Sequence, residues 1–394
     1  MNLDTLKNAV SKECALRYRV RLQPAGGPGD KVFPPTYEGG KYAEEKRRID
    51  GETYDCVHLD SVQSQANRME VALLEAAREG MISVPRVEVQ FSGDLAEVGS
   101  ITSLDAPHRL ADAILRDSGK DGVRFRKLPE GELLNTASLK NATGLFEIAP
   151  TSLLFGIWDS TGPRGGLGVK FQRAIVSELV AVGVEKGVKS SSRLDPLAIE
   201  LKAGPAYLAN PETGEWVLDA KLDGKALSKV GKEGKPSEIN HGNVTPSVSA
   251  QNGGVTFDYA LQATVISLPA LRRLQFPIQD KRNSDVNLAA QTALAALGLA
   301  AAVLSNHKGV DLRSRCLLVP EAEGAWEIVG ANGAVTSFAI SAEEACSLLK
   351  ESIKAARSAG LSWRDEPLLL EPSAGLAQLV RKSRELSAKS PVDA

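Results

Sequence analysis

From Leu288 to Leu304 the chain is mostly alanine and leucine, with Gln291 and Thr292 as its polar positions. A helix that is apolar on every side has to be enclosed by other elements. The stretch falls short of the about 20 strongly apolar residues that a membrane span needs. It is therefore expected as a buried helix starting at Asn287, inside a folded core. Hydrophobic residues at 43% and charged residues at 24% are the profile of a chain that can build such a core. A length of 394 residues leaves room for two or three ordinary domains or one elaborated domain.

The first residues carry an early acid, Asp4, and no apolar h-region, so no secretory signal is expected and the cytoplasm is the expected compartment. Cys14, Cys56, Cys316 and Cys346 are dispersed, with no Cys-x-x-Cys pair and no histidine at ligand spacing. That pattern predicts structural thiols, no disulfide framework and no zinc site. A formal net charge of −2 does not announce a nucleic-acid binder, because phosphate neutralisation needs clustered Lys and Arg. Any such function has to come from local patches.

Between Cys14 and Gln23 apolar and basic residues alternate as Leu16/Arg17, Tyr18/Arg19 and Val20/Arg21, the period of a half-buried strand with one cationic face. A loop rich in Gly and Pro runs from Pro24 to Gly40. Val57 to Asp60 reads as a strand, and a helix opens at Ser61 and runs to about Glu79, with Ser61 or Ser64 as its cap. Another helix is expected over Pro107 to Asp117, and a buried strand over Ser152 to Trp158 ahead of the glycine-rich Thr161 to Gly168. The β-branched run from Ala174 to Val184 favours a strand, with helix as the alternative. Residues 187–254 lose clear periodicity and carry Lys221, Lys225, Lys229, Lys232 and Lys235, as expected of an insertion projecting from the core. Strands return at Val255 to Ile266, Cys316 to Pro320 and Trp326 to Val329, and Ser341 caps a helix to Ala359.

Three segments carry candidate anion chemistry. Lys41, Lys46, Arg47 and Arg48 lie near Tyr37 and Tyr42, a mix that suits phosphates and unstacked bases, or else a solvated loop neutralised by Glu44 and Glu45. Ser61, Gln63, Ser64, Gln65, Asn67 and Arg68 sit at a helix start, where free N–H groups suit a phosphate, or else form a capping cluster. Around the third segment, Gly165 and Gly166 permit close backbone approach while Arg164, Lys170, Gln172 and Arg173 supply charge and polarity. It lacks the Gly-Lys-Ser/Thr of a nucleotide P-loop and the context of a dinucleotide fold. For an enzyme the available pieces are His58, Asp60, Asp105, His108 and Asp159, none in a recognised pair.

Taken in order, several motifs resemble those of the CRISPR-associated RAMP superfamily, most closely the backbone (Cas-seven type) subunit of the type I-G, formerly I-U, Cascade surveillance complex. They are Pro34 to Arg47, Asp60 to Glu70, Ser103 to Arg109 and Phe155 to Gly168, followed by His241-Gly-Asn-Val-Thr-Pro-Ser, Leu268 to Leu274 and Asp311 to Pro320. The resemblance implies an α+β fold, a modified RRM-like (ferredoxin-like) palm with finger insertions and a protruding thumb hairpin. On that reading residues 1–186 begin the palm with its fingers, 187–254 form the thumb-like insertion, 255–340 complete the palm and 341–394 form a C-terminal helical segment. It implies a non-catalytic subunit without metal or cofactor that oligomerises with neighbouring copies along a CRISPR RNA in a helical filament. The thumb would kink the RNA periodically and leave bases to pair with target DNA in antiviral defence. Partners would be the large subunit and the RNA-end-capping subunit, with no membrane. RNA-binding positions would be the residues of the three segments together with His241 and Asn243. The rival reading is a metal-dependent endoribonuclease of the same superfamily, using Asp105, His108 or Asp159.

Overall fold

The computed structural model describes residues 1–160, 168–211, 213–250 and 252–389. The chain divides into two compact units. The larger takes Met1–Pro35, Tyr42–Glu185 and Thr256–Ala377, and the smaller takes Thr36–Lys41, Lys186–Val255 and the segment from Gln378.

The larger unit is built on an antiparallel sheet with Ala15–Pro24 near its middle. That strand buries Leu16, Val20 and Leu22 and leaves Arg19 and Arg21 exposed, as period-two alternation requires. It pairs with Tyr259–Ser267 on one side and with Leu317–Pro320 and Trp326–Val329 on the other. Tyr259–Ser267, whose alternate residues from Ala260 to Ile266 are buried, pairs in turn with Ile175–Val182. Outside it lie Glu52–Asp60 and its hairpin partner Glu44–Ile49. The strand reading of 174–184 therefore holds, and the helical alternative does not.

The alanine-rich segment forms the helix Ser284–Asn306, longer than its sequence pattern marks and, by length and composition alone, apolar enough to cross a membrane. Here it is a core element, with 78% of its most apolar window buried. The sheet and the helices Leu3–Lys12, Val62–Arg78 and Ala342–Ser358 pack against it, which is why it is apolar all round. Each fully buried leucine on it contributes about 1.5–3 kcal/mol. At Gly298 a Cβ would lie 3.1 Å from Leu154 Cδ1 and 3.2 Å from Ile266 Cδ1, so the missing side chain lets the helix seat close to the sheet.

Three local expectations give way to tertiary context. Pro107 to Asp117 is not one helix but a 3-10 turn, Arg109–Ala111, and a short helix, Ala113–Arg116. Arg109 takes φ 52° and turns its side chain into the core, while Asp112 accepts the Ile114 N–H and restarts the helix. Ser152 to Phe155 is helical, within Pro150–Phe155, and only Ile157–Trp158 is strand. Pro150 favours a helix start, Gly156 at φ 83° ends it, and a short apolar run does not distinguish the two states. Within the C-terminal segment, Leu368–Pro372 is a strand that pairs in parallel with Val87–Gln90 in a second, five-stranded sheet.

The smaller unit contains short antiparallel strand pairs, among them Lys189–Arg193 with Val244–Ser249 and the hairpin of Tyr207–Asn210 with Glu215–Val217. Overall the architecture is α+β, with mainly antiparallel sheets.

Candidate nucleic-acid interface

The alternation of the Ala15–Pro24 strand puts Arg17, Arg19 and Arg21 on the sheet face away from Leu16, Val20 and Leu22. Arg17 Nε lies 2.7 Å from Glu327 Oε2, and the Arg21 guanidinium sits 4.0 Å from the centre of the Tyr259 ring. Arg19, exposed between them, has no side-chain partner among the described residues. These arginines were legible as a cationic strand face, yet spacing alone did not mark them as binding residues.

On the sheet-edge hairpin, Arg47 donates to Glu178 at 2.6 and 3.1 Å and is also bound by Glu45; the two carboxylates raise its pKa further above the usual value. Lys46 pairs with Asp55 at 2.8 Å in solvent, and Arg48 is exposed. Glu45 also meets His58 Nε2 at 3.0 Å. The segment is thus a strand and not a loop, and of the two acids expected to neutralise it Glu45 pairs with Arg47, whereas Lys46 is paired by Asp55.

At the start of Val62–Arg78, Ser61 accepts from the Ser64 N–H, so it is the cap. Gln65 is buried, bonded to Asp60 at 2.6 Å and accepting from Ser177 at 2.9 Å and Gln262 at 3.0 Å. Arg68 is clamped: Nε donates to Asp60 at 2.9 Å, Nη1 to the Asp311 carbonyl at 3.3 Å and Nη2 to the Leu312 carbonyl at 2.7 Å. Ser61, Gln65 and Arg68 are therefore occupied within the fold, whereas Gln63 and Asn67 are exposed. Ser64 and Asn67 line a groove of about 440 Å³ with His307 and Lys308, and Glu75 and Glu79 line it too.

Arg164, Gly165 and Gly166 lie outside the described residues. Beside them, Ile157–Trp158 pairs with Lys170–Phe171, and the Lys170 ammonium sits 5.4 Å from the centre of the Trp158 ring. Gln172 is exposed. Arg173 is half-buried without a hydrogen bond among the described residues, and burial, then the nearby Arg109 charge, lowers its pKa. Arg109 itself makes a bidentate pair with buried Glu70 at 2.7 and 2.8 Å and donates to the Gly156 carbonyl at 3.2 Å. Among the described residues, no ion pair or hydrogen bond joins Lys46, Arg68 and Arg173.

In the smaller unit, exposed Lys41 forms a bridge with Tyr37 through backbone atoms. His241 packs edge-on to Trp216 at 6.0 Å, and its carbonyl accepts from Arg193 at 2.8 Å. Asn243 Oδ1 accepts the Asp195 N–H at 2.7 Å, so both residues help close this unit's own turns. The five lysines from Lys221 to Lys235 are exposed there, with Lys235 paired to Glu233.

Two pieces of the rival metal site, Asp159 and Asp105, are bonded within the fold. Asp159, 2% exposed, is held by Arg126 through two bonds of 2.8 Å, and Asp105 accepts from the Thr102 N–H and hydroxyl at 2.9 and 2.8 Å. Exposed His108 donates its backbone N–H to Asp112. Among the described residues no group of three or more His, Cys, Asp or Glu side chains is placed to hold a metal ion. The cysteines are free, and burial raises the thiol pKa of Cys56, Cys346 and Cys316, the last to about 11.

Residues 16–186 match the family model described as CRISPR-associated protein GSU0053 (Cas_GSU0053). A search of curated proteins found no match. Among solved structures, the crystal structure of Thermofilum pendens Csc2 aligns with 98% of this chain and 81% of its own, at 12% identity and a TM-score of 0.27. A likeness of that size carries no argument about this chain.

Proposed function

We propose, from the CRISPR-associated family match over residues 16–186, that this chain is a non-catalytic guide-RNA-binding backbone subunit of a Cascade complex, of type I-G. Copies would repeat along the CRISPR RNA in the cytoplasm, with the large and end-capping subunits as partners and the RNA presented to target DNA. The family match carries this reading, and the arginine face of the first strand supports it. A net charge of −2 is compatible with it, because a phosphate-tracking protein needs local cationic surface, not global charge.

The palm assignment rests on strand order. With the elements between them set aside, Ala15–Pro24, the helix Val62–Arg78, Ile175–Val182, Tyr259–Ser267, the helix Ser284–Asn306 and Leu317–Pro320 run in the order β-α-β-β-α-β. Ala15–Pro24 and Tyr259–Ser267 occupy the middle of these four strands, the arrangement a ferredoxin-like palm requires. The Glu44–Asp60 hairpin would then be an inserted finger and residues 187–254 the thumb.

Titration of the purified chain with fluorescent single-stranded RNA over a range of salt tests the reading. Affinity should fall steeply with salt and vary little among unrelated sequences. Arg19→Ala and Arg173→Ala should each reduce the log–log salt slope by about 0.7, the amount expected for one phosphate of a single strand. Wild-type chain that binds no RNA, or that turns over RNA with a divalent metal, would overturn it.

A further inference from the structure

We infer that Trp158, Lys170 and Arg273 form a subsite for one unpaired nucleotide, with the base stacked on the indole and the phosphate held by the two cations; this rests on the RNA-binding reading. The two-residue ladder of Ile157–Trp158 with Lys170–Phe171 sets the geometry. Directly paired residues share a face, so Ile157 and Phe171 turn inward, 6% and 4% exposed, while Trp158 and Lys170 turn outward. Trp158 remains 55% exposed, although a large aromatic ring is costly to leave in water. The Lys170 ammonium lies over the ring, 5.4 Å from its centre, which restrains its orientation and places a positive charge against the indole.

Lys170 also borders a hollow of about 280 Å³ whose lining includes Leu153, Phe171 and Leu274, with Gln172 and Arg273 at its polar positions. Two of its lining residues are cations and none is a carboxylate. The groove beside Arg68 differs, since Glu75 and Glu79 would repel an anion there. Arg273 is exposed and has no side-chain partner among the described residues, so its donors are available. An exposed indole next to Lys170, which in turn borders an apolar hollow shared with Arg273, complements a single-stranded nucleotide, which presents a flat base and an anionic phosphate. Stacking of this kind tolerates any base, as a subunit that follows a variable guide requires.

The test is binding of a fluorescent, unstructured single-stranded RNA too short for more than one copy, compared with an abasic oligomer of equal length and charge. Trp158→Ala should weaken RNA binding about 5- to 150-fold, Trp158→Phe should restore most of it, and binding of the abasic oligomer should be unchanged. Arg273→Ala should weaken both oligomers and flatten the salt dependence. Wild-type binding of RNA with no change in Trp158→Ala overturns the subsite and leaves the RNA-binding function standing. Absence of RNA binding by wild type removes both. Reduced self-association of Trp158→Ala in sedimentation, at unchanged RNA affinity, makes the indole a contact between copies and likewise overturns the subsite.

Discussion

Arg109→Ala is expected to destabilise the chain by about 3–5 kcal/mol, the usual cost of removing one partner of a buried ion pair. Arg109 and Glu70 are 8% and 1% exposed and meet through two short bonds. Without the guanidinium, the carboxylate, the Gly156 carbonyl and the cavity are all left uncompensated. The destabilisation should depend on pH. Burial pushes the Glu70 carboxyl up to about 7, against the pull of Arg109. A folded pKa above the unfolded value means that the fold holds the proton more tightly, so this group's contribution is full below about 4.5 and declines as pH rises towards 7. Removing Arg109 raises the folded pKa further and extends the decline above 7. Urea unfolding should therefore show a larger gap between wild type and Arg109→Ala at pH 8 than at pH 5, and adding Glu70→Gln should remove the difference. An equal gap at both values would refute the account.

Asp60→Ala is expected to cost about 3 kcal/mol, the lower end of the same range, because Arg68 and Arg313 keep 34% and 26% of their side-chain surface in water. Asp60 is 1% exposed and accepts from Gln65, Arg68 and Arg313 at 2.6, 2.9 and 3.4 Å. It ties the helix Val62–Arg78 to the segment that follows the long buried helix. Arg68→Ala should likewise lower the unfolding midpoint, while RNA affinity measured in the cold, where the variant remains folded, stays near that of wild type. A selective loss of RNA binding at unchanged stability would return Arg68 to the RNA.

That result would separate two kinds of information. The Ser61 to Arg68 run is legible as a polar helix start, and the helix begins where its cap says. Whether its side chains face a phosphate or the protein is not legible, because Asp60 meets Arg313 across 253 positions of sequence. Trp158 illustrates the converse. Its apolar neighbours read as one buried strand, but they form a helix that Gly156 ends, and the two-residue strand after it turns Ile157 inward and the indole outward.

By itself the sequence determined what depends on neighbours along the chain: the cationic period-two strand, the capping box at Ser341 with Glu344, and the all-apolar helix that had to be enclosed. Tertiary structure alone decided which charges are neutralised inside the fold. Arg109 with Glu70, Arg126 with Asp159 and Arg47 with Glu178 are brought together by the chain's path. Periodicity and capping act within a few residues, whereas the partner of a charged side chain is set by which distant segments the folded core brings into contact.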